Sequence, residues 1–69
     1  MIRLNKIEKF QLFCLENYRI SENMPGKKAW YDFERKGVFD FLAEGYEVLH
    51  TQGIGYIVGE INVFLERRK

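Results

Sequence analysis

The chain contains very little cysteine, histidine or proline. Among its 69 residues there is one of each, at Cys14, His50 and Pro25. A single cysteine excludes an internal disulfide, and one cysteine with one histidine cannot supply the ligands of an ordinary tetrahedral zinc site. We therefore expect no bound metal and no cofactor, and the fold must be stabilised by apolar packing.

Long hydrophobic runs are also absent. No segment approaches the roughly 18 apolar residues that a membrane-spanning helix needs. Residues 1–6 lack the apolar stretch of a signal peptide. A free thiol in a chain without an export signal is typical of a reducing compartment, so we expect a cytoplasmic protein that does not contact the membrane.

Charge of one sign is not in large excess, since the net charge is +1. The charges are nevertheless unevenly placed: residues 1–37 carry eight basic and five acidic side chains, whereas residues 38–61 carry four acidic and no basic ones. Nucleic-acid-binding domains usually carry a strong basic excess. This distribution argues against nucleic acid as the main partner.

What the chain has in quantity is apolar and aromatic side chains. Hydrophobic residues make up 46% of the sequence, including six Phe, four Tyr and Trp30. A chain of this length forms one domain, residues 1–69, and folding hides only about 60% of the surface that the unfolded chain exposes. We therefore expect some apolar side chains to remain for an interface, either with a protein partner or in a homo-oligomer.

Helical periodicity predicts an all-α domain, a compact bundle of about four short helices. The expected helices cover about residues 5–20, 25–36, 38–49 and 51–67. Asn5 with Glu8 should form a capping box at the first helix, and Thr51 should cap the last. The predicted core faces are Leu4, Ile7, Phe10, Cys14, Leu15 and Tyr18 in the first helix, Ala29, Trp30 and Phe33 in the second, Val38, Phe41, Leu42, Tyr46 and Leu49 in the third, and Ile54, Ile57, Val58, Ile61, Phe64 and Leu65 in the fourth.

Glycines interrupt the last two predicted helices. Gly45 lies near the apolar side of the third helix, where it either lets a neighbouring helix approach closely or bends the segment. The pattern Gly53-x-Gly55-x-x-x-Gly59 resembles a phosphate-binding loop but lacks the Gly-Lys-Ser/Thr ending and a preceding strand. We therefore interpret these glycines as sites of close helix packing.

No set of residues predicts catalysis. His50 is either a pH-sensitive or catalytic group, or a ring that hydrogen-bonds to carbonyls at a helix end, and we favour the second interpretation. Cys14 stands between Phe13 and Leu15, and such an apolar setting is typical of a small core residue and not of a reactive thiol. We expect no enzymatic activity and identify no catalytic residue.

Charged clusters offer two further interpretations. Asp40, Glu44 and Glu47 have the i, i+4, i+7 spacing of one helix face, which is either a solvated surface or a docking ridge for a basic partner. Lys27-Lys28 and residues 67–69 are basic, and a helix–Gly37–helix arrangement is loosely similar to a helix-turn-helix. A nucleic-acid-associated transcriptional regulator is therefore the alternative function, although the reading helix would be acidic.

Apolar residues outside the predicted core faces are the strongest functional lead. Isolated exposed aromatics are ordinary, but several on one surface would mark an interaction site. Together with the acidic ridge, the candidate partner-binding residues are Phe13, Ile20, Tyr31, Asp40, Glu44, Glu47, Tyr56 and Val63.

Several segments resemble a family of short bacterial proteins, the domain of unknown function 3791. They are Phe13-Cys14-Leu15-Glu16-Asn17-Tyr18, Gly26-Lys27-Lys28-Ala29, Gly37-Val38, Leu49-His50-Thr51-Gln52-Gly53 and Tyr56-Ile57-Val58. The resemblance covers nearly the whole chain and is most specific at Leu49–Gln52. The residues that mark the family are Tyr18, His50, Thr51, Gln52 and Tyr56, none with a known catalytic role.

The resemblance implies little about activity, because the family has no established one. Its members often lie beside genes for toxin-like or ADP-ribosyltransferase-like proteins, which implies an antitoxin or accessory role. Our main prediction is therefore a small protein-interaction module. The resemblance implies that this module is an antitoxin-like protein or an accessory partner of a toxin-like protein.

Overall fold

A computed structural model describes residues 3–68 as a bundle of five helices joined by short turns. The helices are α1 (Lys6–Ser21), α2 (Gly26–Arg35), α3 (Val38–Glu44), α4 (Tyr46–Leu49) and α5 (Ile54–Glu66). No strand occurs in this part of the chain, so the prediction of an all-α bundle is confirmed. None of these helices is long and apolar enough to cross a membrane.

Local signals determine how α1 begins and ends. The Asn5 side chain accepts a hydrogen bond from the Glu8 backbone N–H at 2.8 Å, and the Glu8 carboxylate accepts one from the Asn5 N–H at 3.0 Å. The predicted capping box is therefore confirmed. After α1, Asn23 adopts a left-handed conformation with φ of 52°, a conformation that asparagine tolerates better than most residues. The chain turns there towards α2.

The predicted third helix is broken at Gly45, so the expectation of one helix over residues 38–49 is wrong. A Cβ atom at Gly45 would lie 2.9 Å from Cδ1 of Leu49 and 3.3 Å from the Phe41 carbonyl oxygen. Gly45 was predicted either to allow a close helix approach or to bend the segment. The structure shows the bend, and Leu49 packs against the backbone of Gly45 there. α3 and α4 follow one another across it.

The start of α5 also differs from the prediction. Thr51 does not cap this helix, because its hydroxyl donates a hydrogen bond to the Val48 carbonyl at 2.8 Å. The residue before the helix is Gly53, which provides no side-chain cap. A glycine there is open to solvent, as are Gly55 and Gly59: a Cβ at any of the three would meet no atom within 4 Å. The expectation that these glycines allow close helix packing is wrong.

The core lies where α1 packs against α2, α3 and α5. Phe33 of α2 is fully buried at its centre, with ring centroids 5.2 Å from Tyr18 and 5.4 Å from Phe39. The buried residues are Cys14, Tyr18, Ala29, Phe33, Val38, Leu42, Leu49, Ile57, Val58 and Ile61. They all belong to the predicted core faces.

Trp30 was also predicted in the core, and that expectation is wrong because its side chain is 46% exposed. Ala29 and Phe33 stand four residues apart and point into the bundle together. Trp30 is rotated by about 100° from Ala29 around the helix, which places it at the edge of the core. It leans on Phe39 there, with ring centroids 5.0 Å apart.

Candidate protein-interaction surface

An apolar depression lies beside Trp30, between α1, α2 and the start of α3. We call it the Trp30 groove. Exposed apolar groups form much of its wall, since Trp30, Leu12 and Leu4 are 46%, 38% and 36% exposed. It is lined by Leu4, Glu8, Gln11, Leu12, Trp30, Glu34 and Phe39.

The floor of the groove is held by a hydrogen bond that joins α1 to α3. Gln11 is a polar residue on the side of α1 that carries the predicted core residues Phe10 and Cys14. Its side-chain Nε2 donates to the Phe39 carbonyl oxygen at 2.8 Å in a partly buried position. This hydrogen bond joins α1 to α3 and satisfies the amide of Gln11 where it is partly buried.

The Trp30 ring is held in a defined orientation. Its indole Nε1 donates to the Glu34 carboxylate at 3.0 Å, one helical turn further along α2. Because the polar atom of the indole is satisfied within the chain, the remaining exposed ring surface is apolar. Glu34 and Glu8 add two carboxylates beside this surface, so a basic side chain of a partner would be favoured there.

The size of the groove indicates the kind of ligand that it accepts. Its volume is about 260 Å³, below the roughly 300–1,000 Å³ typical of small-molecule sites. A second depression has a larger volume of about 640 Å³, but Trp30, Tyr31 and all its other lining residues belong to α2. One helix cannot enclose a ligand, so both features suit the side chains of another protein surface.

The structure places the five off-core apolar candidates on the surface but does not bring them into one depression. All five are exposed: Phe13, Ile20, Tyr31, Tyr56 and Val63. Tyr31 lies beside Trp30 on α2, whereas Ile20 lines a different depression with Ile54 and Val58, between α1 and α5. Of these candidates, Tyr31 lies next to Trp30, but it lines the second depression and not the Trp30 groove.

The predicted acidic ridge is not a single helix face. Asp40 and Glu44 are exposed on α3, but the break at Gly45 places Glu47 on α4. Asp40 and Glu44 also share a depression with Lys36 and Arg68, so the local charge is mixed. The three carboxylates are therefore exposed on two helices, and a docking role for them stays a prediction.

The residues that mark the family form a turn and part of the core. His50 Nδ1 donates to the Tyr46 carbonyl at 2.6 Å, and its ring stacks on the Tyr46 ring with centroids 4.3 Å apart. The backbone N–H of Gln52 donates to the Leu49 carbonyl at 2.9 Å, and Thr51 bonds back to α4 as described above. The interpretation of His50 as a ring that bonds a helix-end carbonyl is thus confirmed. Of the other two, Tyr18 is buried and Tyr56 is exposed.

Cys14 is fully buried, as predicted for a core residue. Burial disfavours the thiolate and raises the pKa of the Cys14 thiol to about 12. Burial also raises the pKa of Tyr18, and the nearby carboxylates of Asp32 and Glu22 raise it further. Between residues 3 and 68, no group of three His, Cys, Asp or Glu side chains is arranged to hold a metal ion.

The sequence interpretation missed Trp30, Leu4 and Leu12 as surface residues. Leu4 and Trp30 had the spacing of core faces, and Leu12 was neither in a predicted core face nor among the candidate residues. One sequence signal for the exposure of Trp30 was present in α2. Ala29 and Phe33 define the face of α2 that points into the core, and Trp30 is not on that face. Whether Trp30 is exposed or covered by a neighbouring helix depends on the positions of α1 and α3.

Comparison with known proteins identifies the family. No curated protein and no solved structure matches the chain. A family model described as "Protein of unknown function (DUF3791)" matches residues 9–68, which include all five helices except the first turn of α1. The chain therefore belongs to the DUF3791 family, whose function is unknown.

Proposed function

We propose that this chain is a non-enzymatic protein-interaction module that binds its partner through the Trp30 groove. The observation that carries the proposal is the 46% exposure of Trp30 beside two exposed leucines, Leu4 and Leu12. Tryptophan is enriched among the residues that dominate binding energy at protein interfaces. An exposed cluster of large apolar side chains with a polar edge is typical of such an interface.

The proposal includes the setting in which the module acts. It is an antitoxin-like protein or an accessory partner of a toxin-like protein in the bacterial cytoplasm. A free, buried thiol at Cys14 is compatible with a reducing compartment. The raised pKa of the same thiol disfavours thiolate chemistry, which supports a binding role over an enzymatic one.

The alternative of a nucleic-acid-associated regulator receives less support. In a helix-turn-helix, the second helix enters the major groove and approaches the phosphates. The helix that follows Gly37 is α3, and it exposes Asp40 and Glu44. These carboxylates would repel the phosphate backbone, so we keep this alternative as an outcome of the test.

The test is affinity capture from the native cell lysate with tagged wild-type and variant chains. Trp30→Ala removes the main apolar group of the groove. Tyr56→Ala is the matched control, because Tyr56 is also an exposed aromatic side chain but stands on α5. Circular dichroism verifies that both variants retain the helical fold.

We expect a stoichiometric protein that the wild-type and Tyr56→Ala chains retain and that the Trp30→Ala chain loses. That protein can be a different chain or the untagged copy of this one. Equal capture by all three chains would refute the role of the groove. Capture of nucleic acid that is released by moderate salt would instead support the regulator.

A further inference from the structure

The exposed face of α2 carries four side chains that form one stripe. Lys27, Trp30, Tyr31 and Glu34 fall within an arc of about 100° when each residue turns the helix by 100°. All four are exposed and line the same open depression. In the stripe, an aromatic pair is flanked by a basic residue at one end and an acidic residue at the other.

This stripe is complementary to itself in one orientation. The midpoint between positions 27 and 34 falls between Trp30 and Tyr31. A two-fold axis through that midpoint sets a second α2 antiparallel to the first. Lys27 of each copy then faces Glu34 of the other, while Trp30 lies opposite Trp30 on one side of the axis and Tyr31 opposite Tyr31 on the other side. A parallel arrangement would oppose Lys27 to Lys27 and Glu34 to Glu34, which like-charge repulsion disfavours.

The charged ends of the stripe are available for this contact. Arg19 forms an ion pair with Glu16, and Lys28 forms one with Asp32. Neither includes Lys27 or Glu34. Glu34 also holds the Trp30 indole at 3.0 Å, which orients its carboxylate on the stripe before a second copy arrives.

We infer that the stripe binds a second copy of this chain through antiparallel contact of the two α2 helices, which also covers Trp30 at the edge of the Trp30 groove. The inference rests on the proposed function, because it names the partner of the surface that includes Trp30. Leu4 and Leu12 widen the apolar area beside Trp30. That widening matters because α2 has 10 residues, a length of about 15 Å, which is short for an interface on its own.

The contact is isologous, so each favourable pair occurs twice and the assembly closes at two copies. We expect a reversible dimer with a dissociation constant in the micromolar range, because the surface is at the small end of specific interfaces. Since both ion pairs lie at the rim, the dimer should weaken as the salt concentration rises.

The experiment uses charge exchange in the full chain. Sedimentation equilibrium measures the dissociation constant of the wild type, Lys27→Glu, Glu34→Lys and the double variant that carries both changes. Trp30 is the single tryptophan, so the concentration dependence of its fluorescence reports directly on burial of the stripe. Lys9→Glu and Glu47→Lys are matched controls, because they make the same charge changes at exposed positions on α1 and α4.

We expect each single exchange to weaken the dimer by about tenfold or more, because it replaces two attractive pairs with two repulsive ones. The double variant should recover dimerisation, since the exchanged charges again face each other. An equimolar mixture of the two single variants should form a heterodimer with about the wild-type dissociation constant, although each variant alone dimerises more weakly. The two control variants should dimerise like the wild type.

A wild-type chain that stays monomeric up to millimolar concentration would overturn the α2 dimer. Equal loss of dimerisation in the double variant and in both single variants would also overturn it. In either case the lysate experiment decides separately about the proposed function. A different protein captured by the wild type and lost with Trp30→Ala would keep the interaction module, whereas no captured protein at all would end both proposals.

Discussion

At the scale of single residues, the centre of this small core is aromatic. Phe33 has no exposed surface and contacts the rings of Tyr18 and Phe39. Domains of this kind are stable by roughly 5–15 kcal/mol, and the smallest lie near the lower end. One fully buried aromatic side chain therefore accounts for a large share of the free energy of unfolding.

Phe33→Ala should lower the free energy of unfolding by about 3–5 kcal/mol, because it removes buried apolar area and leaves a cavity. Urea denaturation followed by circular dichroism measures the change. Phe33→Leu, with a loss of about 1 kcal/mol, tests the same site if the alanine variant does not fold. Tyr56→Ala, at an exposed position, should change stability by less than about 0.5 kcal/mol. Similar values for Phe33→Ala and Tyr56→Ala would contradict the assigned core.

The buried thiol of Cys14 makes stability depend on alkaline pH. Its folded pKa is about 12, raised by burial from 9.0. The unfolded chain therefore releases this proton first, so the contribution of Cys14 to stability is full below about pH 9 and declines as the pH rises towards 12. Tyr18, whose pKa is also raised by burial, acts in the same direction above pH 10.

The prediction is that the free energy of unfolding falls between pH 8 and about pH 10, and that it falls less steeply in Cys14→Ala. Urea titrations of both chains at several pH values provide the comparison. The native thiol should also react with a disulfide reagent at least about tenfold more slowly than the unfolded one. Fast labelling of the folded chain would show that Cys14 is accessible.

At the scale of the helices, the N-termini of α1 and α5 differ in whether a side chain accepts hydrogen bonds from their free backbone N–H groups. α1 begins with a complete capping box, whereas the residue before α5 is Gly53, which has no capping side chain. The helix with the weaker start also contains Gly55 and Gly59. Packing of Ile57, Val58 and Ile61 against the core must therefore contribute much of the stability of α5.

Asn5→Ala should lower the free energy of unfolding by about 1 kcal/mol, because the N–H of Glu8 loses its acceptor. Asn5→Ser keeps an acceptor oxygen and should remain close to the wild type. Thermal unfolding of the three chains measures both effects. Equal melting temperatures for the alanine and serine variants would show that the capping box contributes nothing to stability.

Two glycine-to-alanine changes should have opposite signs. In Gly59→Ala the new methyl group meets open space within α5, so the gain in helix propensity should raise the free energy of unfolding by about 1 kcal/mol. In Gly45→Ala the methyl group would lie 2.9 Å from Leu49, which is buried. The overpacking should cost about 1–3 kcal/mol. Urea denaturation of both variants settles the comparison, and stabilisation by both changes would refute the role of Gly45 as a required bend.

At the scale of the whole molecule, α1 joins the bundle together because it packs on α2, α3 and α5. The Trp30 groove exists only through this arrangement, since its walls come from three segments of the chain. The hydrogen bond from Gln11 to the Phe39 carbonyl fixes the floor, and Phe39 in turn supports Trp30. The shape of the proposed binding surface therefore depends on a contact between residues far apart in sequence.

Gln11→Leu should lower the free energy of unfolding by about 1 kcal/mol, because the partly buried hydrogen bond that joins α1 to α3 is lost. The Trp30 emission maximum should shift as well, since Phe39 packs against the indole. Gln52→Leu is the control, because Gln52 is exposed and its side chain makes no hydrogen bond between residues 3 and 68. A Gln11→Leu chain with wild-type stability and emission would contradict the coupling.

The all-helical class and most of the core could be predicted from the sequence. The break at Gly45, which gives five helices and not four, and the start of α5 could not. Apolar spacing identified every buried residue, and Asn5 with Glu8 gave the correct start of α1. The sequence left two roles open for Gly45, because a glycine on an apolar helix face can either allow a close helix approach or bend the helix. The break between α3 and α4 corresponds to the second role. Thr51 failed as a cap because a hydroxyl at a helix boundary bonds equally well to the preceding turn.

The sequence by itself determined the all-helical fold, the burial of Cys14 and the family, because periodicity, capping residues and motifs are properties of neighbouring residues. The tertiary structure alone decided which apolar residues remain outside. Trp30 and Tyr31 share a helix with buried Ala29 and Phe33, and only the positions of α1 and α3 determine that the first two stay exposed. Exposure depends on how helices pack against each other, and that packing is set by contacts between distant parts of the chain.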